Sequence, residues 1–164
     1  TVCGYAPRQR LDLSVNILTN HAVNKNKITV FGGDQLRPNL HIQDYANVCA
    51  LLLEAPKEKI ENETFNCGSQ NLKIIDIAKI VKNIVEEIFP EKGDLPIEIT
   101  SSDDNRSYHI NSDKIFNILD FKPTFTVEDA VRDLCNAFKS GKLENSFEDD
   151  KYFNVKLMQS IGAK

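Results

Sequence analysis

Apolar residues fall at Leu11, Val15, Leu18 and Ala22, a helical spacing that gives LDLSVNILTNHAV one apolar face, and the polar NKNK tract ends it. The period then changes. KITVF is a compact run rich in β-branched residues, stopped by Gly32-Gly33, and reads as a strand; LHI reads as a second, shorter one. Asp44 is placed to cap the helix DYANVCALLLEA, which Pro56 closes. KEKIENE reads as a polar loop and ETFNCG as a strand ending at Gly68. In SQNLKIIDIAKIVKNIVEEIF, Ile74, Ile77, Val81, Ile84 and Ile88 recur at steps of three or four, a strong amphipathic helix ended by Pro90. LPIEIT reads as a strand, SSDDNRSY as a polar turn, and INSDKIFNIL as a short helix capped by Asn111 or Ser112. After Pro123, FTVEDAVRDLCNAFKSG predicts a helix with Thr126 as cap and Gly141 as stop. The acidic LENSFEDD linker leads to a weaker helix around Phe153 to Ile161.

Helices alternating with short strands imply a layered α/β domain. The first residues, TVCGY, read as a short β-segment running into a glycine turn, with no initiating Met. The expectation is a chain that begins inside a strand, one part of something longer. No internal repeat or low-complexity tract is visible.

At 164 residues there is room for one domain with a substantial core. The formal charge of −4, with lysines dispersed rather than clustered, argues against a nucleic-acid surface. No apolar run approaches the roughly 18–20 residues of a membrane span, and no signal peptide is recognisable. Cys3, Cys49, Cys67 and Cys135 lie far apart without a C-x-x-C pair, so free thiols in a reducing cytosol are expected rather than a metal site or disulfide framework.

The familiar catalytic patterns are missing. There is no G-x-G-x-x-G, no P-loop and no G-x-S-x-G, and His21, His41 and His109 lack metal-ligand spacing. His41 and Asp44 are three apart, but a strand-to-helix break separates them, so His41 reads as a polar strand residue and Asp44 as a cap. Tyr152 and Lys156, four apart, would set a phenol one helical turn from an ammonium, an arrangement that lowers a tyrosine's pKa for proton transfer. The competing reading is a solvated amphipathic helix with Phe153 and Leu157 turned inward. Arg37, after the glycine turn, and Arg106, in a polar loop, are two guanidiniums on separate loops. They suit a pyrophosphate, onto which each can fork two donors, or they pair with Asp34, Asp103 or Asp104.

Four segments in order resemble the C-terminal part of the extended short-chain dehydrogenase/reductase family, the NAD-dependent sugar-nucleotide epimerases and dehydratases. TVCGYAPRQR resembles the family's strand and "VYGP" turn. ITVFGGDQLRPNLHIQDYANV resembles its "I-x-G-G-x-x-R-D-x-x-H-V-x-D" block. TFNCGSQNLKIIDIAKIV resembles "N-I-G-x-x-x-x-S-x-x-E-L". DDNRSYHINSDKIFNILDFKPTFTVEDAVRDL resembles the block ending "L-G-F-x-P" and a final helix. Departures are Arg37-Pro38 for "RD", CGY for "YGP" and LDF for "LGF".

The resemblance implies the C-terminal portion of a Rossmann-type α/β fold over residues 1–164: the last parallel strand, around TFNCG, with the smaller mixed α/β substrate-binding lobe. It implies NAD as cofactor, bound mainly by an N-terminal half outside this sequence, together with the catalytic Tyr-x-x-x-Lys upstream of TVCGY. This segment alone would be inactive. A nucleotide sugar is the implied substrate, held by Arg37 and Arg106 on its pyrophosphate, by Thr29 and Phe31 along its base, and by Thr1 near the sugar, with Val2 near the nicotinamide edge. The resemblance further implies a cytoplasmic enzyme, a homodimer when full-length. Rival expectations are a non-enzymatic binding module of the same fold, or a family reductase acting on a small carbonyl compound.

Overall fold

The computed structural model describes residues 1–102 and 106–163. Among the described residues, five strands and seven α-helices follow one another: β1 (Val2–Cys3), α1 (Ser14–Lys25), β2 (Ile28–Phe31), β3 (Leu36–His41), α2 (Ile42–Glu54), α3 (Lys57–Ile60), β4 (Gln70–Lys73), α4 (Ile74–Ile88), β5 (Ile97–Thr100), α5 (Asp113–Leu119), α6 (Val127–Lys139) and α7 (Asn154–Ser160). The strands form two sheets. In one, β1 runs parallel to β3 with Val2 opposite Leu40, and β3 runs antiparallel to β4 with Arg37 opposite Leu72. In the other, β2 and β5 are parallel, with Ile28 opposite Ile97 and Phe31 opposite Thr100.

The core lies where α1, α4 and α6 pack on one another and on β2. The strong 3.6-residue period of α4 places Ile77, Ala78, Val81, Ile84 and Val85 on its buried face. They meet Val15, Leu18 and Ala22 of α1, Ile28 and Val30 of β2, and Val127, Ala130 and Val131 of α6. Strand alternation leaves Thr29 and Phe31 on the opposite face of β2, away from this core.

Several elements differ from the reading of the sequence. Helix α1 starts at Ser14, so Leu11 precedes it and packs in a second cluster with Leu134, Ala137, Leu143 and Tyr152. Strand β3 begins at Leu36, and Pro38 sits inside it. Thr1 N donates to Pro38 O and Leu40 N to Thr1 O. The donorless nitrogen of Pro38 therefore faces the β1 side at the ladder's start, where its missing N–H interrupts nothing. Residues 63–68 belong to no strand; the strand predicted at ETFNCG is instead β4, formed by residues that had been assigned to the start of α4. Pairing with β3 takes those four residues out of the helix, a tertiary effect that local periodicity does not carry. The KEKIENE loop contains the short helix α3.

Asp44 is not a cap. His41 is the N-cap of α2, its Nδ1 accepting from Gln43 N at 3.1 Å. Asp44, one turn in and 1% exposed, instead accepts from Thr124 N, Thr124 Oγ1 and Phe125 N at 2.9–3.1 Å. The His41 ring stacks on Phe125 at 4.8 Å, and its Nε2 lies 3.2 Å from Asp133 Oδ2. His41 and Asp44 thus hold the approach to α6 together, both engaging Phe125. Tyr152 is buried in a 3-10 turn that ends before α7 begins, and Lys156 lies over Phe153, so the two share no helix face.

Candidate functional site

Two cavities flank the segment Arg10–Ser14. The first, about 280 Å³, is bounded by Asp12 and Ser14, by Ile17, Leu18 and His21 of α1, and by Thr29 and Phe31 of β2. Gln35, Arg37, Ile74 and Ser102 complete it. The second, about 470 Å³, is lined by Thr1, Val2, Cys3 and Gly4, by Arg8, Gln9 and Arg10, and by Leu13, Asn16, Ile42 and Tyr45.

The turn between β2 and β3 shapes the first cavity. Gly32 and Gly33 have φ of 79° and 127°, and the Gln35 amide folds back over them, accepting from Gly33 N at 2.7 Å and donating to Phe31 O at 3.3 Å. The positive φ at Gly32 strains any L side chain, and a Cβ there would also displace the Gln35 amide, 2.2 Å away, from its fold over the turn. The Phe31 side chain is left at the rim, with the residue 55% exposed, a large aromatic surface with little to cover it. Arg37, half-buried in β3, donates from Nη1 to Leu36 O at 3.0 Å and to the Arg106 carbonyl, and stands over the Tyr108 ring at 5.3 Å. Leu36 N donates to Ser107 Oγ at 3.0 Å. These bonds draw the 106–108 segment along the edge of β3.

The wall between the cavities is rigid. Arg10 forks onto Asp12 at 2.9 and 3.1 Å, and Asp12 also accepts from Asn154 N at 3.0 Å. Burial would raise the Asp12 carboxyl, but the hydrogen bonds from Arg10 and Asn154 outweigh it and hold it below its ordinary value. Buried Asn16 accepts from Gly4 N and donates to Arg10 O, and buried Gln9 accepts from Ala6 N and donates to Arg10 O. Two side-chain amides therefore fix the 4–10 turn.

Of the residues singled out in the sequence, Thr29, Phe31 and Arg37 come together in the first cavity, and Thr1 and Val2 in the second. Arg106 is exposed beside the first cavity; from its loop it is Ser102 that lines the wall. Asp34 pairs with Lys73 at 3.0 Å, not with Arg37, while Asp103 and Asp104 lie outside the described residues. His21 was named only for lacking a metal-ligand pattern, yet it lines the first cavity beside Thr29. Its place on α1, one turn beyond Leu18 and Ile17, was the available signal. Burial first, then Lys25 and Lys27, push its imidazole down to about 4, so it is neutral at pH 7.

All four cysteines are free thiols; burial pushes Cys3 and Cys135 up to about 12. Among the described residues no group of three His, Cys, Asp or Glu side chains is placed to hold a metal ion, and no helix is long and apolar enough to cross a membrane.

The layered α/β chain with its parallel strand pairs shares its fold with part of solved nucleotide-sugar epimerases. The sequence model of the NAD dependent epimerase/dehydratase family matches residues 2–68 of this chain. It is 28% identical over 134 residues to the dTDP-glucose 4,6-dehydratases of Shigella flexneri and Escherichia coli, a stretch covering 78% of this chain and 36% of each relative. The UDP-glucuronic acid 4-epimerase of Bacillus cereus, solved with UDP-glucuronic acid and NAD, superposes with a TM-score of 0.69 at 25% identity, over 85% of this chain and 43% of that enzyme. The UDP-glucose 4-epimerase of Thermotoga maritima, solved with UDP-glucose, has the same fold, with a TM-score of 0.68 at 19% identity over 86% of this chain and 45% of that one. The chain spans little more than a third of the length of the curated relatives it matches.

Proposed function

We propose that residues 1–164 are the sugar-nucleotide-binding portion of an NAD-dependent epimerase/dehydratase. One observation carries the reading. Thr29, Phe31 and Arg37 line one cavity, and Thr1 and Val2 line a second across the Arg10–Ser14 wall. An elongated ligand with a nucleoside at one end and a sugar at the other fits two adjoining cavities of unlike character. Similarity to enzymes solved with UDP-glucuronic acid and with UDP-glucose supports that ligand class.

In this reading the nucleoside enters the first cavity and stacks on the Phe31 ring, whose exposed face offers apolar contact without a large ordering cost. Arg37 donates to the diphosphate; its planar fork matches phosphate oxygens better than an ammonium does. Arg106, at the rim, closes on the same diphosphate from outside. The sugar lies in the second cavity against Thr1, with Arg8 and Arg10 along its wall. NAD, when bound, serves as transient hydride acceptor for the sugar. Val2, half-buried on β1, would border its nicotinamide edge; a glycine-rich cofactor turn is not among the patterns residues 1–164 carry, and Tyr152 and Lys156 share no helix face. This chain's residues bind and orient the substrate and exclude water from it.

Calorimetry on the full-length protein with UDP-, dTDP- and GDP-sugars tests this. Arg37→Ala is expected to weaken binding of the preferred sugar nucleotide by roughly 1.5–3 kcal/mol, and Arg37→Lys to recover part of the loss. Unchanged affinity in Arg37→Ala overturns the assignment of this cavity. Arg106→Ala is expected to weaken binding as well; if it alone has no effect, Arg106 leaves the site and Arg37 stays.

A further inference from the structure

His21 is 8% exposed, lines the first cavity, and has a ring nitrogen, Nδ1, with neither a protein partner nor contact with solvent. A buried polar atom left unpaired costs free energy, and few are tolerated in a native fold. The ring is not held by hydrogen bonding at that atom; its neighbour on the far side is Phe147, at 5.7 Å and tilted by 32°. Histidine's χ2 is a broad, roughly twofold torsion. The ring can therefore turn Nδ1 into the cavity when a ligand offers it a partner.

What that partner is follows from charge. The imidazole is held neutral, so it presents one donor and one acceptor rather than a positive charge. The nearby cations are engaged elsewhere: Lys25 lies over Phe147 at 4.1 Å and Lys27 pairs with Glu98 at 2.8 Å, and neither lines the cavity. Of the charged groups that line the cavity, Asp12 is held by Arg10 and the cation, Arg37, comes from β3, while the α1 residues that line it with His21 are Ser14, Ile17 and Leu18. A phosphate group gains more from the guanidinium of Arg37 than from a neutral imidazole. A flat heterocycle with mixed donors and acceptors along its edge suits that imidazole.

We infer that His21 reads the hydrogen-bonding edge of the nucleobase, and so sets which nucleoside diphosphate the site accepts. This rests on the sugar-nucleotide reading above. A pocket with a buried polar group rejects a ligand that leaves that group unpaired far more strongly than it rejects one differing by apolar bulk.

The test is calorimetric titration of the full-length protein with UDP, dTDP, GDP, ADP and inorganic pyrophosphate, for wild type, His21→Phe and His21→Asn. For the nucleoside diphosphate wild type prefers, His21→Phe is expected to lose about tenfold or more in affinity. Its preference among bases should shrink, its pyrophosphate binding should not change, and His21→Asn, which keeps a donor and an acceptor, should recover part of the preference. Equal affinity in wild type and His21→Phe overturns the inference. So does a loss of equal size for every base, which would point to the ribose, or a parallel loss of pyrophosphate, which would point to damaged structure. If His21→Phe does not fold, an unaltered base preference in His21→Asn and His21→Gln overturns it equally. If wild type binds none of the nucleoside diphosphates, the sugar-nucleotide reading itself fails, a result distinct from any of these.

Discussion

Asp44 has both carboxylate oxygens committed to residues eighty positions away: Thr124 N and Oγ1, and Phe125 N. Hydrogen bonds to a buried charge are stronger than neutral ones, and removing the acceptor strands the donors out of water. Asp44→Ala is expected to lower stability by on the order of 3 kcal/mol in urea denaturation, and Asp44→Asn by less, since its amide oxygen still accepts. A loss within the error of the measurement would show that these bonds contribute nothing. The residue type was legible in the sequence as a helix-start signal, and its partner was not. A carboxylate near a helix start looks the same whether it caps its own helix or reaches across to another element. The same holds at Arg37 and Arg106. Both read as loop arginines suited to an anion, yet one stands in a strand with its guanidinium against the other's carbonyl, and only the first lines the cavity.

At the level of elements, local rules succeed where the signal is complete within a few residues. Thr126 and Asp129 form a reciprocal capping box, with Thr126 Oγ1 accepting from Asp129 N at 3.2 Å and Asp129 Oδ2 accepting from Thr126 N at 2.8 Å. Thr126→Ala should cost about 1 kcal/mol, read as a lowered denaturation midpoint; Thr126→Ser should be close to neutral. Helices α4 and α6 were visible in period, because each buries one stripe; α1 showed only its apolar positions, and the burial of Asn16, Thr19, Asn20 and His21 on it was not legible. Strands β3 and β4 were misplaced by a few residues because each is defined by the other. Leu36–Asn39 falls outside the strand expected at LHI, and Gln70–Lys73 inside an expected helix, until the antiparallel pairing of Leu36 with Lys73 and Asn39 with Gln70 is known.

For the molecule as a whole, His21 couples the cavity to stability. Burial together with Lys25 and Lys27 depresses its pKa from 6.5 to about 4 in the folded state. Between those values the unfolded chain takes up a proton that the folded chain refuses, so stability falls as pH is lowered through that window and is unaffected above it. Urea denaturation of wild type against His21→Asn at pH 7.5 and pH 5 should show a larger acid loss in wild type; equal slopes would mean that the imidazole is not desolvated.

Hydrophobic period and turn chemistry determined which segments are helices and which face of each is buried, since those depend on neighbours within one or two turns. Four family-like blocks in order determined the kind of fold. What only the tertiary structure decided is the candidate site: that Thr29, Phe31 and Arg37 share a cavity, that Ser102 rather than Arg106 lines its wall, that Asp44 serves α6, and that His21 stands neutral in the same cavity. Burial and long-range hydrogen bonds are made between residues far apart along the chain, and no local pattern encodes their partners.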